Sequence, residues 1–427
     1  MLKSILDIQE KLTTDESMRR YEEVEYQPIV GTQLNIANQI TITIENTDDF
    51  YHPHLSFLEM EGKLVKADGS AYGDNDMITL SNNSLMYLFS NVRYLLNGTE
   101  IESINHPGQA TTILGSVKNT PAFKNGQGLM QCWYPDTTTG ADEHNVGFNI
   151  RQGYIIKKPI PKGTFSMRIP LAHIFGFIED DDKIKYGFTH QVILTRTTDS
   201  NDSIFKNAAA ALGKVELTKI SWFMPQVQLN DEEKFKMYKI IESKTTLTSG
   251  YRMRQCCTTV IPQTTSTSWR LQVKSAPEKP RWILLVFQTD KKGDQTKNAS
   301  LFDHCNLTNL SVHLNADKYP RLDANADFDK MKFAPFYMNM INFYRDFYGV
   351  NSLINNASMR PSAFKELTPV FVSNLTKQSE RLDHAIIDIT INMEFKANVP
   401  ANTHAYALII SDKDIKFKSD GRKMTIV

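Results

Sequence analysis

Two imidazoles flank a proline at His52-Pro53-His54, a candidate ligand pair in this 427-residue chain. Zinc sites need three or four convergent donors, and no third ligand stands at a suitable spacing, so a turn is the expected reading. Cys256-Cys257 falls in a β-patterned stretch, where neighbouring side chains point to opposite faces. One thiol is therefore expected inside and its neighbour partly exposed, and the two cannot act together. Asp180-Asp181-Asp182 offers three carboxylates but lacks the spacing and terminal glutamate of a calcium loop, so a solvated loop is expected. Gly126-Gln127-Gly128 lacks the strand-to-helix setting of a phosphate cradle. No Gly-x-Ser-x-Gly, phosphate-binding Gly-x-x-x-x-Gly-Lys or His-Glu-x-x-His occurs. Catalytic residues, metal ligands and cofactor-binding residues are accordingly assigned to none.

Charge narrows the partners. Lys and Arg total 48 and so do Asp and Glu, a net charge of zero. A protein that coats nucleic acid by neutralising phosphates needs surplus cations. The first thirty residues set four cations (Lys3, Lys11, Arg19, Arg20) against seven acids, so they form no basic genome-binding tail. No direct sequence-specific nucleic-acid binding is expected. Residues 1–21 lack the apolar core of a secretory signal, and the run Ile283–Phe287 is far too short to span a bilayer. The four cysteines make no Cys-x-x-Cys pair and no disulfide framework, which suits a reducing compartment.

The elements that carry these residues are mostly strands. Leu2, Ile5, Leu6, Ile8 and Leu12 recur at helical spacing, predicting a short amphipathic arm over residues 1–21, followed by an acidic linker at Glu22–Glu25. Ile40, Ile42 and Ile44 alternate with threonines, a strand pattern. Further strands are expected at residues 55–64, 85–96, 149–156, 164–169 and 190–195. Helices are expected at 107–118, 231–240 and 335–348; the last carries Phe336, Met340, Phe343 and Phe347 on one face. The small-residue stretch 207–213 reads as the connector, and strands resume at 215–223, 251–261, 268–273, 281–289, 385–395 and 404–410.

The two sides of that connector echo one another. Tyr94-Leu95-Leu96-Asn97-Gly98 is answered by Val312-His313-Leu314-Asn315-Ala316, each a strand ending in Leu-Asn before a polar turn, at an offset of 315 − 97 = 218. Pro170 before the strand at 190–195 is echoed by Pro369 before the strand at 387–392. The pattern predicts an all-β protein of two tandem sandwiches, residues 22–206 and 214–427, with short helices in the loops. Aromatics are plentiful (23 Phe, 16 Tyr), and those between Phe333 and Tyr348 suit core packing or a subunit contact.

At Lys279-Pro280-Arg281-Trp282 running to Phe287-Gln288, then Ser300-Leu301-Phe302, Asn315, Tyr319-Pro320 and Ala397-Asn398-Val399-Pro400, the chain resembles the double jelly-roll major capsid proteins. The likeness is to those of Polinton/Maverick-type elements, adintoviruses and related viruses. It spans the second half and, more weakly, the first. It implies two eight-stranded jelly-rolls per chain, a homotrimeric pseudo-hexagonal capsomer and an icosahedral shell. The implied place is the virion capsid, assembled in the cytoplasm or nucleus of a host cell, with penton or minor capsid proteins as further partners. It implies no enzyme activity and no cofactor, and makes Asn97, Pro280, Trp282, Phe287, Asn315, Tyr319 and Pro320 structural. The stripe Leu2, Ile5, Leu6, Ile8 and Leu12 is the candidate assembly element. The alternatives are a paired β-sandwich enzyme, carbohydrate-active or amidase-type, and a capsid-derived protein captured by a host genome.

Overall fold

The computed structural model describes residues 17–271, 279–350, 359–378, 388–419 and 424–426. Leu2, Ile5, Leu6, Ile8 and Leu12 lie outside the described residues.

The first half holds strands β1 (Met18–Tyr26), β2 (Gln39–Ile44), β3 (Phe50–Tyr51), β4 (Phe57–Lys66), β5 (Ile78–Leu80), β6 (Phe89–Leu96), β7 (Thr99–Asn105) and β8 (Thr164–Pro170). It continues with β9 (Lys185–Tyr186), β10 (His190–Arg196), β11 (Ile204–Lys206) and β12 (Gly213–Leu229). The second half holds β13 (Leu247–Val260), β14 (Ser266–Leu271), β15 (Lys279–Thr289), β16 (Leu307–Leu314) and β17 (Asp317–Tyr319). After them come β18 (Phe371–Asn374), β19 (Ile389–Phe395), β20 (Thr403–Ser419) and β21 (Met424–Ile426). Helices α1 (Ser84–Tyr87), α2 (Pro107–Lys118), α3 (Val146–Gln152), α4 (Leu171–Ile174), α5 (Gly176–Asp180), α6 (Asp231–Glu242), α7 (Ala334–Tyr348) and α8 (Pro361–Glu366) punctuate them.

Strand order repeats between the halves. In the first, β8-β4-β12-β1 faces β2-β10-β6-β7; in the second, β18-β15-β20-β13 faces β14-β19-β16-β17. Each is an eight-stranded antiparallel jelly-roll, with β3, β9, β5, β11 and β21 as short additions at the margins. Both β12 and β20 run for 17 residues and form the spine of their sheets. Pairing fixes the alternation: Ile40, Ile42 and Ile44 of β2 are wholly buried while their neighbours lie on the other face. In β15 every residue from Trp282 to Gln288 is buried, with Trp282 against α7 and Gln288 donating to the Ala299 carbonyl. Trp282 meets Phe343 of α7 edge-on, with ring centroids 5.1 Å apart.

Several expectations need correction. Glu22–Glu25 is no linker: it lies within β1, paired residue for residue with Pro225 and its neighbours in β12. The sheets also divide elsewhere. Strand β12, which opens at Gly213, belongs to the first half through β4 and β1, so residues 207–212 are a loop inside that half, and α6 makes the crossing. Small residues marked a loop, but pairing partners decide which side a strand joins, and those are not local. Residues 149–156 form helix and not strand: Asn145 caps α3 through a bond from the Phe148 N–H, and its main chain stays helical to Lys157. Residues 84–87 coil into α1 before β6 begins.

Candidate functional site: a charged seam and two poles

Opposite ends of the molecule have different contents. At one pole Ser17 accepts from the Asn230 N–H at the start of α6, and Asn97 donates through Nδ2 to the Met424 carbonyl at 2.6 Å. Entry of the described chain, the crossing between halves and the last described strand thus share one pole. The other pole carries the long excursions 106–163 and 320–370, which hold α2, α3, α7 and α8.

Asn97 and Asn315 occupy matching turns. Both adopt positive φ, 48° and 53°, a region that asparagine tolerates better than most residues. Asn97 donates its N–H to the Thr189 carbonyl at 2.9 Å, and its Oδ1 accepts from the Thr189 N–H at 2.7 Å. Asn315 makes the same pair with Asp388, at 2.9 Å each way. Each asparagine therefore ties its hairpin to the residue just before the neighbouring strand.

Between the halves lies a cluster of ionisable groups that includes Asp180 and Asp181, two members of the run expected to be a solvated loop. Asp180 and Glu179, at the end of α5, face Arg252 and Arg254 on β13. Arg252 donates its main-chain N–H and Nε to Asp180 Oδ2, at 2.8 and 2.9 Å, and its Nη1 to the Phe347 carbonyl at 2.7 Å. Asp181 accepts from Lys185 Nζ at 2.7 Å and from Ser249 Oγ at 2.6 Å. Glu179 accepts from Arg254, Lys118 and Tyr348. Burial works to raise its pKa, but the Arg254 and Lys118 cations outweigh burial and hold it at about 2. Lys118 is itself pushed down, first by burial and then by the two arginines despite the pull of Glu179. We therefore take Arg254, not Lys118, as the cation that anchors this carboxylate.

Glu102 sits deeper. Its carboxylate, 1% exposed, accepts the N–H groups of Gly176 (3.1 Å), Phe177 (3.0 Å) and Arg254 (2.8 Å). The first two open α5 and the third belongs to the second half. Burial raises its pKa to about 7, against the opposing pull of Arg254 and the three N–H donors. Together Glu102 and Asp180 cap two alternate N–H groups of β13, covering an edge that would otherwise invite another strand. The approach is close: a Cβ on Gly176 would fall 1.8 Å from the Arg252 carbonyl oxygen.

Two more contacts fasten the same boundary. Gln295 of the second half makes a reciprocal pair with the Gly213 main chain, at 2.9 and 2.7 Å. Asn298 donates to Asp136 Oδ2 at 2.7 Å, and Asp136 is held by Arg151 through bonds of 2.8 and 3.0 Å with neither side chain exposed. Sequence patterning could not find these residues, since nothing local distinguishes a seam carboxylate from a surface one. The Asp180–Asp182 run was the one available signal.

The remaining candidates take structural places. His52 contacts the Tyr21 hydroxyl and the Asp182 carbonyl, both at 3.1 Å, while His54 contacts the Ile178 carbonyl at 2.8 Å. Among the described residues no group of three His, Cys, Asp or Glu could hold a metal ion. Cys256 is buried in the core and Cys257 partly exposed. Pro280 stands where the β15–β20 register shifts, and Phe287 is wholly buried between Phe371 and Phe395. Tyr319 ends β17 opposite Val312, and Pro320 follows it.

Paired jelly-rolls locked by a buried seam define the class, and a family model of a double jelly roll-like domain matches residues 78–415. The chain belongs to that family. Its fold is shared with the capsid of the virus PBCV-1, at TM-score 0.59 and 11% identity over 98% of this chain and 99% of that one. The Sputnik virophage structure matches at TM-score 0.60 and 11% identity over 99% and 91%. The mavirus major capsid protein matches at TM-score 0.56 and 12% identity over 100% and 93%. No curated protein matches the chain in sequence.

Proposed function

We propose that this chain is a viral major capsid protein and that its function is assembly, not catalysis. The observation that carries this reading is the near-complete correspondence with capsid chains in both directions: almost all of this chain matches almost all of theirs. A jelly-roll borrowed for another task would be expected to carry extra domains or to match only in part. The duplicated topology supports the same conclusion. Two similar jelly-rolls in each of three chains present six similar sides, so a homotrimer can fill a six-coordinated lattice site. Capsomers then tile an icosahedral shell, with penton or minor capsid proteins at special positions. The working location is the virion capsid, after assembly in the cytoplasm or nucleus of a host cell.

The N-terminal arm has a defined point of departure. Ser17 lies beside Asn230, at the pole shared with α6 and with Asn97. The spacing of Leu2, Ile5, Leu6, Ile8 and Leu12 predicts a helix that would be too short to persist alone in water, below the ~12–15 residues at which isolated helices become marginal. We assign it to docking at that pole, on its own capsomer or a neighbouring one. Sedimentation and electron microscopy of the purified protein test the whole reading. Trimers that close into shells support it; a chain that stays monomeric at micromolar concentration in several buffers refutes it. Removing residues 1–16, short of β1, should leave folded trimers that fail to form shells, and unimpaired shell formation would refute the assignment of the arm.

A further inference from the structure

At the pole that carries the long excursions, a cleft of about 500 Å³ opens between the halves. That volume lies within the ~300–1,000 Å³ of small-molecule sites. One wall is the end of α2 and the loop after it, with Ser116, Asn119 and Thr120. Facing it are Ser300 and Leu301 of the second half, together with α8. Thr137 and Leu367 also line a second cavity, of about 460 Å³, so the two adjoin. Asn82 stands in the wall of the first, 4% exposed, and its Oδ1 has no hydrogen-bond partner among the described residues. A buried amide oxygen left without a donor is costly. Its neighbour Asn83 shows the contrast: that amide donates to the Thr111 and Thr112 hydroxyls at 2.7 and 3.0 Å. The Thr138 hydroxyl, in the wall of the second cavity, is likewise buried and without a partner among the described residues. Gln131 Nε2 shares that condition, but the void beside it measures about 30 Å³, space for one water.

We infer that this cleft binds a short acidic saccharide, its carboxylate held on the side of Arg360 and Lys124 and its hydroxyls meeting Asn82 and the Ser and Thr side chains. Charge selects the anion. Lys124 and Arg360 line the first cavity, and neither forms an ion pair with a described residue; Lys124 lies over the Tyr134 ring, 5.2 Å from its centroid. Asp136 is the one acid among the described residues of that wall, and its oxygens are already held by Arg151 and Asn298. Nothing there is left to attract a cation. Hydroxyl groups both donate and accept, which suits a wall of amides and hydroxyls. A purely apolar ligand would leave Asn82 unsatisfied, and a bare inorganic anion would fill a small part of the space. Two adjoining cavities fit two sugar rings. The inference needs one folded chain only, so it stands apart from the capsid reading.

Calorimetric titration of the purified protein with digalacturonate and with 3′-sialyllactose tests this, with lactose as the neutral control. The expected result is binding of an acidic probe that weakens as salt rises, with lactose binding about tenfold more weakly or not at all. Arg360→Ala should weaken the acidic probe about tenfold at an unchanged urea midpoint, and Arg360→Lys should recover part of the loss. Ser362→Trp, at an exposed position of α8, should block the cleft and abolish binding with an unchanged far-ultraviolet spectrum. A folded parent that binds neither acidic probe overturns the inference. Binding that Arg360→Ala and Ser362→Trp both leave unchanged overturns it as well, and so does lactose binding as tightly as the acidic probes.

Discussion

Glu102 should make the seam respond to pH in a direction opposite to that of ion-paired acids such as Glu179. Its carboxyl moves from an ordinary 4.5 to about 7, driven first by burial, which corresponds to about 3 kcal/mol favouring the protonated form. Between those two values the folded chain holds a proton that the unfolded chain has released. The stabilisation is therefore complete below pH 4.5 and is lost as pH rises through 7. Other groups work the other way. His173 and His190 are held down by burial, to about 4 and about 3, so their contribution weakens as pH falls through the ordinary histidine range. A pH profile of the parent alone would mix these effects, and a comparison with Glu102→Gln separates them. The amide keeps the shape, and its oxygen can accept the Gly176 and Arg254 N–H groups, while its NH2 confronts the Phe177 N–H. That defect costs stability at every pH but does not titrate. The expected result from urea denaturation at pH 5 and pH 8 is a change of about 2–3 kcal/mol in the difference between parent and variant, with the parent relatively more stable at pH 5. Parallel stability curves for the two proteins would refute the assignment.

Gly176→Ala should destabilise by about 1–3 kcal/mol or block docking of the halves, because the new methyl group meets main chain and not a movable side chain; urea midpoints read it. Asp136→Ala should cost about 3–5 kcal/mol in the same assay, since it leaves the fully buried Arg151 without its counter-ion. Asn97→Ala and Asn315→Ala should each cost about 1–2 kcal/mol, through lost bonds to the next strand and a residue forced into positive φ, while glycine at either position should recover part of the loss. A similar cost at the two sites is the informative outcome, because it would show that the turns do equivalent work.

Much of this architecture was readable because its causes are local. Alternation in β2 needs only its own six residues, and the four apolar positions of α7 follow from helical period alone. The Asn97 and Asn315 echo was visible because a hairpin that needs positive φ at one position restricts the residue allowed there. What escaped was set by distant partners. Residues 149–156 carry apolar positions that suit a strand, yet the Asn145 cap and the bonds of Arg151 to Leu80 and Asp136 hold them helical. Strand β12 looked like the opening of a second domain because loop composition marks where a chain turns, not which sheet the next strand joins.

The same distinction explains why the seam was illegible. An acid on a loop and an acid that closes a sheet edge are the same residue in sequence, and they differ only in which backbone arrives opposite them. Here the arriving backbone is an edge strand, the element most prone to unwanted pairing. Covering it with Glu102 and Asp180 lets the N–H groups of β13 find partners without adding a strand, so the two jelly-rolls lie side by side and their sheets stay separate. A continuous sheet would have fused the halves with no repeatable side contact. A contact made of side chains against an edge can recur wherever an equivalent edge is presented. Repetition of that kind is what a closed ring of alternating first and second jelly-rolls requires.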